Sequence, residues 1–227
     1  MKKWTCIEVG FAKWQIWHIN RKGVSLARQI DMPEDALWVP AAMARRLGEI
    51  QGKLLFLLNI AQTSIRLADS PFPFEENYIF SRNTIGGHPW TTALPAEISE
   101  SLVEMCRLMN LRPGRIKAID TLEYRMACYF ASLYKSPCWL IIPQEPGIRL
   151  IALDNGLPLA CCFFSNDPDY RLKELTRIWL CQASPPQHAI LLGGPEHFWI
   201  RDFLQEKSVQ ILEPDNEQSF VQAMLEA

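Results

Sequence analysis

The 227-residue sequence lacks the features that mark several large functional classes. It has no excess of positive charge, since 23 Lys and Arg stand against 25 Asp and Glu for a net charge of −2. That excludes the basic footprint of a general nucleic-acid binder and a polybasic membrane anchor. No apolar run approaches the ~18 residues of a membrane span. Met1-Lys2-Lys3 leads straight into a short strand-like segment with no signal-peptide core, so a cytoplasmic protein is expected. The seven cysteines, at 6, 106, 128, 138, 161, 162 and 181, form no C-x-x-C pair and sit in apolar segments. They read as buried thiols of a reducing compartment, not as a disulfide frame or a zinc site. His18, His88, His188 and His197 have no Cys or carboxylate at ligand spacing, so no metal is expected. Neither a G-x-x-x-x-G-K-[ST] loop nor a G-x-S-x-G elbow occurs, which removes the commonest P-loop and hydrolase readings.

What is present is an order of elements, with 48% hydrophobic residues to build a core around. Trp4 to Val9, Trp14 to Ile19 and Val24 to Ile30 are extended apolar runs broken by Gly10 and by Asn20-Arg21-Lys22-Gly23, which predicts a three-stranded meander. Pro40 suits the first turn of a helix over Trp38 to Gln51, and Leu54 to Leu58 reads as a buried strand. Between Asn59 and Pro95 the strand candidates are Ile65 to Ala68, Tyr78 to Ser81 and Trp90 to Leu94. Ala96 to Leu111 carries Ile98, Leu102, Met105 and Leu108 at helical spacing. A strand at Arg115 to Ile119 and a helix at Leu122 to Tyr134 follow.

From Cys138 the opening pattern returns. Cys138 to Ile142, Ile148 to Leu153 and Leu159 to Phe164 form a second meander, with Asp154-Asn155-Gly156 as a hairpin turn. Helices at Tyr170 to Gln182, Pro195 to Gln205 and Glu217 to Leu225 alternate with strands at Ala189 to Leu192 and Val209 to Leu212. The repeat of three strands, helix and strand predicts an α/β protein with a duplicated ribonuclease-H-like fold, two mixed-sheet halves with flanking helices. Residues 1–135 form the first half, with a small inserted subdomain at about 53–112, and 136–227 the second, without a large insertion.

In a doubled fold of this kind the tight turn closing the first hairpin of each half can hold a phosphate, if free N–H groups face it. The first turn keeps Glu8, Gly10 and Lys13, but Phe11 stands where a hydroxyl would help. The second, Pro143-Gln144-Glu145-Pro146-Gly147, has two prolines without N–H donors and no aspartate. Leu191-Leu192-Gly193-Gly194-Pro195 is a strand running into a helix through two glycines, which reads either as a tight strand-to-helix turn alone or as a place for an anion or a nucleotide ring. Glu8 with Asp120 is the one carboxylate pair that could serve a ribonuclease-H-like nuclease, which needs acids on neighbouring strands. Among the aromatics, Trp14 and Trp17 have opposite parity, so one of them faces another layer or a partner. Pro71-Phe72-Pro73-Phe74 and His88-Pro89-Trp90 read either as an exposed aromatic loop for protein binding or as loop folded over its own core.

The segment Ile7-Glu8-Val9-Gly10-Phe11-Ala12-Lys13-Trp14-Gln15-Ile16 resembles the I-D-I-G-x-x-x-x-K start of the PilM family, actin-like proteins of type IV pilus assembly, and of the related GspL cytoplasmic domain of type II secretion, with Glu replacing Asp. Met109 to Asp120 is similar to that family's passage before a helix, and Leu191-Leu192-Gly193-Gly194 to its late G-G turn at the nucleotide base. The family's second phosphate turn, D-x-G, would fall at Gln144-Glu145-Pro146-Gly147, where the aspartate is missing. The resemblance implies an actin-like ATPase fold with reduced small subdomains and a cytosolic scaffold recruited to the inner face of the membrane by a membrane-anchored PilN-like partner. Self-association is a further possibility of that family. It implies a remnant cleft of Glu8, Gly10, Lys13, Gly193 and Gly194, no catalytic residue and no required cofactor, with ATP and magnesium optional or lost. The alternatives are an active actin-like ATPase or sugar-kinase-like phosphotransferase, and the ribonuclease-H-like nuclease.

Overall fold

The computed structural model describes residues 4–20, 23–32, 39–67, 76–144, 146–165, 167–182, 184–192 and 198–214. The closing helix expected at Glu217 to Leu225 and the pair Gly193-Gly194 lie outside the described residues. The chain divides into two compact units, one of residues 1–82 with 91–122, the other of 83–90 with 123–227.

In the first unit β1 (Trp4–Val9), β2 (Lys13–Asn20) and β3 (Gly23–Asp31) form the antiparallel meander, and α1 (Pro40–Leu47) crosses over to β4 (Lys53–Leu58), parallel to β1. After β5 (Ser64–Leu67), β6 (Tyr78–Ile85), β7 (His88–Pro95), of which residues 83–90 fall in the second unit, and α2 (Ala96–Leu108), strand β8 (Ile116–Thr121) adds parallel to β4. The five-stranded sheet has the order β3-β2-β1-β4-β8, and β5-β7-β6 make a separate small sheet. One face of the large sheet buries Ile7, Val9, Trp14, Phe56 and Leu58 against Met43 and Leu47 of α1 and Ile98, Leu102 and Met105 of α2. These helical residues recur at intervals of three and four, the spacing that puts an apolar stripe on one side of a helix. Trp17 pairs with Cys6, whose parity is opposite to that core, and both tryptophans are buried, so the sheet is covered on both faces. Trp90 is 2% exposed within β7, which removes the exposed-loop reading of that tryptophan, while Pro71 to Phe74 lie outside the described residues.

The second unit repeats the pattern. Helix α3 (Leu122–Leu133) leads to β9 (Cys138–Gln144), β10 (Gly147–Asp154) and β11 (Leu157–Ser165), then α4 (Pro168–Cys181), β12 (His188–Leu191), α5 (Phe198–Glu206) and β13 (Gln210–Leu212). The sheet order is β11-β10-β9-β12-β13, strand for strand that of the first unit. Trp139, Ile141, Leu150 and Phe164 pack on Leu175 and Ile178 of α4 and Ile200 and Leu204 of α5. The Asp154-Asn155-Gly156 turn forms as expected, with positive φ at Asn155 (51°) and Gly156 (75°), which suits the two-residue hairpin loop. Among the described residues α4 is the one element between β11 and β12, and residues 192–197 connect β12 to α5. Helix α3, assigned to the first half by the sequence reading, belongs to the second unit except for Leu122. The thiols divide more finely than expected: Cys6, Cys106 and Cys138 are buried, Cys128, Cys161 and Cys162 half-buried, and Cys181 exposed.

Candidate functional site

In the first unit the carboxyl ends of the central strands gather the polar residues. Glu8 lies in register with Gln15 on β2 and Leu57 on β4, and Leu57 with Asp120 on β8. Partners in register share a face, so Gln15, Glu8, Leu57 and Asp120 form one row across the sheet. Glu8 and Asp120 are therefore two strands apart, roughly 10 Å, with Leu57 fully buried between them. Asp120 Oδ1 accepts from Thr121 N–H at 2.8 Å. A nuclease pair on neighbouring strands is not what this register builds. Among the described residues no group of three or more His, Cys, Asp or Glu is placed to hold a metal.

Asn59, one residue past β4, donates from Nδ2 to Glu8 Oε1 at 2.7 Å. Asn59 Oδ1 is buried without a hydrogen-bond partner. Burial pushes the Glu8 carboxyl from its ordinary 4.5 up to about 7, and the bond from Asn59 opposes this only in part. Folded Glu8 thus holds its proton more tightly than unfolded Glu8, so the folded state loses stability as pH rises from about 4.5 to about 7, by about 1.4 kcal/mol per pH unit at most, and not above. Glu8→Gln, which keeps the acceptor for Asn59, is expected to match the parent protein at pH 4.5 and to exceed its urea midpoint at pH 8. Equal midpoints at pH 8 would show that the carboxylate is solvated.

Gly10 opens the first tight turn. Its N–H donates to Lys13 C=O at 3.1 Å and its C=O accepts from Trp14 Nε1 at 3.1 Å, so both of its polar groups are engaged inside the hairpin. A Cβ on Gly10 would lie 2.7 Å from Lys13 O, which is why the turn takes glycine. Lys13 is exposed at the start of β2.

The second turn departs further. Asn59 N–H donates to Val9 C=O in the first unit and Leu192 N–H to Ile141 C=O in the second, each at 2.9 Å, which makes these positions equivalent. By that register the counterpart of Glu8 is Leu140, fully buried, and that of Asn59 is Leu192. Beyond Ile141 the second hairpin adds three more pairs, Ile142 with Arg149, Pro143 with Ile148 and Gln144 with Gly147. Its turn therefore stands about 10 Å farther along the strand direction than the first. Pro143 interrupts nothing there, because β12 has already ended.

The base of this extension is closed by its own side chains. Gln144 Nε2 donates to Glu123 Oε1 at 3.2 Å, Arg149 Nε donates to Gln144 Oε1 at 3.1 Å, and Arg149 Nε lies 3.3 Å from Glu123 Oε1. The Arg149 and Glu123 side chains are 6% and 0% exposed, and the guanidinium also sits 5.2 Å from the Phe163 ring centre. Where the sequence resemblance would place an aspartate facing a phosphate, Gln144 is held in a buried ion cluster. Gly10 N–H is used inside its hairpin and Pro146 has none, so neither residue offers a backbone donor to an anion.

Of the five residues expected to form a remnant cleft, Glu8, Gly10 and Lys13 share the β1–β2 hairpin, and Gly193 and Gly194 lie outside the described residues. Sequence reasoning missed Asn59, Glu123 and Arg149. Arg149 carries a signal, since a charge in the apolar run Ile148 to Leu153 asks for a buried partner. Glu123 carries none, because an acid in a first helical turn is ordinary.

No family model and no curated protein matches the sequence. Solved structures do resemble the fold. A protein of unknown function from Bacteroides thetaiotaomicron with an actin-like ATPase fold is 13% identical over 99% of this chain and 96% of its own, with a TM-score of 0.75. A chain of the PilM–PilN type IV pilus biogenesis complex is 13% identical over 96% of this chain and 95% of its own, at 0.64. The ethanolamine utilization protein EutJ from Carboxydothermus hydrogenoformans is 9% identical over 97% and 88%, at 0.50. At such identities the likeness shows fold alone, and the chain has an actin-like ATPase fold. No described helix is long and apolar enough to cross a membrane.

Proposed function

We propose that the protein is an actin-like scaffold of a type IV pilus, competence or type II secretion assembly machine, which binds a membrane-anchored PilN-like partner at the inner face of the membrane and does not hydrolyse ATP. The observation that carries this reading is the closure of the second tight turn by Glu123, Gln144 and Arg149, side chains that spend their hydrogen bonds on one another where a nucleotide-hydrolysing relative needs groups free to face phosphate. The likeness to a chain of the PilM–PilN complex over 96% of the sequence supports the choice of machine. Glu8, Gly10, Lys13, Gly193 and Gly194 are on this reading the remains of a cleft, not a catalytic centre.

Two titrations test it together. Calorimetry with magnesium and ATP at up to millimolar nucleotide is expected to give no saturable heat and no phosphate release. The cytoplasmic tails of membrane proteins encoded beside this one, offered as peptides, are expected to bind one to one. Micromolar nucleotide binding with turnover that Glu8→Ala abolishes in a still-folded protein would replace the scaffold with an ATPase.

A further inference from the structure

The near-neutral charge of the whole chain argues against a polybasic anchor, but the two units do not share that balance. The first holds 15 Lys and Arg against 12 Asp and Glu and the second 8 against 13, so their net charges are +3 and −5. The pairing of the cations differs as well. In the second unit Arg149, Arg177 and Arg201 lie against Glu123, Glu174 and Glu213. In the first unit Arg28, Arg45, Arg46, Arg112, Arg115 and Lys117 make no ion pair among the described residues.

Two of these six grip the connection between α1 and β4. Arg28 Nη2 donates to Leu47 C=O, while Arg115 donates from Nη2 to Ile50 C=O at 2.7 Å and from Nε to Gly52 C=O at 2.8 Å. Leu47 and Gly52 are at most roughly 18 Å apart along the chain, so cations from β3 and from the turn before β8 meet here beside Arg45 and Arg46 of α1. Arg46 Nη1 donates to Asp31 C=O at 2.7 Å. A carbonyl holds a guanidinium in place without cancelling its charge. Arg28 and Arg46 each spend one N–H in this way, out of the five a guanidinium carries, and the rest remain for an anion. Residues 105–119 contribute Arg112 and Lys117 and contain no acid. The acids at this end are Glu49 and Asp31, two against six.

We propose that this face of the first unit lies against an anionic lipid surface, where its guanidiniums and Lys117 receive headgroup phosphates. Clusters of about 4–8 Lys and Arg are the size that recognises such a surface. All of the six but Arg115 are exposed, and they stand on four stretches of chain, β3, α1, the turn before β8 and β8 itself, which suits a broad charged surface better than one acidic peptide. The second unit, at −5, offers no comparable attraction. The inference rests on the scaffold reading for the choice of a membrane among polyanions.

Co-sedimentation of the full chain with vesicles tests it, at an ionic strength of about 0.1 M, where charges still act over ~10 Å. The protein is expected to bind vesicles of phosphatidylglycerol mixed with phosphatidylcholine, to ignore phosphatidylcholine alone, and to be released by about 0.5 M salt. Lys117→Glu is expected to weaken binding by roughly tenfold, and Arg112→Glu added to it to abolish binding. Lys173→Glu, the same change of charge placed on α4 of the second unit, is expected to leave binding unchanged, with thermal unfolding confirming that each variant folds. The proposal is overturned if the mixed vesicles are not bound, if neutral vesicles are bound equally, or if Lys173→Glu weakens binding as much as Lys117→Glu. Binding of polyglutamate without binding of vesicles would overturn it in favour of an acidic protein partner. No partner peptide or nucleotide enters the vesicle experiment, so a failed vesicle test and a failed scaffold reading are told apart.

Discussion

Arg149→Leu is expected to lower the free energy of unfolding by about 3–5 kcal/mol, read from urea denaturation followed by tryptophan fluorescence. The guanidinium is 6% exposed and lies 3.3 Å from a Glu123 oxygen that is itself fully buried. Removing it leaves Glu123 ionised in a place with little water, and it takes from Gln144 Oε1 its 3.1 Å donor. The cost arises from the charge left behind more than from the bond lost. Arg149→Leu combined with Glu123→Leu is therefore expected to be less destabilised than Arg149→Leu alone, because the double variant buries no charge. A single variant within about 1 kcal/mol of the parent protein would mean that water reaches the cluster. That result would also reopen the second turn as a binding surface and so weaken the scaffold reading.

Gly147→Ala carries the second large effect, through a different mechanism. A Cβ built on Gly147 would stand 1.9 Å from Phe164 O and 2.8 Å from Phe164 C. These are backbone atoms of β11 held in the β10–β11 ladder, where Ile148 pairs with Phe164 and Gly147 with Ser165. No side-chain adjustment relieves such a contact, so the strand end must separate from β11, at a cost of about 3 kcal/mol or more. Gly87→Ala is the comparison. It has φ +84° and no atom within 4 Å of an added Cβ, so it bears conformational strain alone, on the order of 1 kcal/mol. A larger loss at Gly87 than at Gly147 in urea midpoints would show that the hairpin end tolerates separation from β11.

The two effects concern one device. The second hairpin outgrows the first by three residue pairs, and Gly147 lets it do so by allowing β11 to approach closely. Arg149, two residues along, neutralises the acid at the start of α3 and fixes Gln144 between them. In the first unit, by contrast, the hairpin turns immediately after Val9, and Glu8 keeps a neighbour, Asn59, whose Oδ1 is without a partner. The two halves share a strand order yet differ at the ends of their central strands.

The sequence by itself determined the strand and helix order, the doubling and the fold class. Those follow from signals carried by neighbours in the chain: the apolar run Trp4 to Val9 bounded by Gly10, the three-and-four spacing of Ile98, Leu102 and Met105, and the Asn155-Gly156 pair that accepts positive φ. Once the succession of three strands, helix and strand occurred twice, short connections and right-handed crossovers left few ways to arrange it. Only the tertiary structure decided what the ends of the strands do. That Glu123 meets Arg149 across 26 positions and that Leu57 separates Glu8 from Asp120 are facts of register and packing. Local periodicity is blind to them, because a strand buries the same alternating face whichever residue three strands away completes its hydrogen bonds.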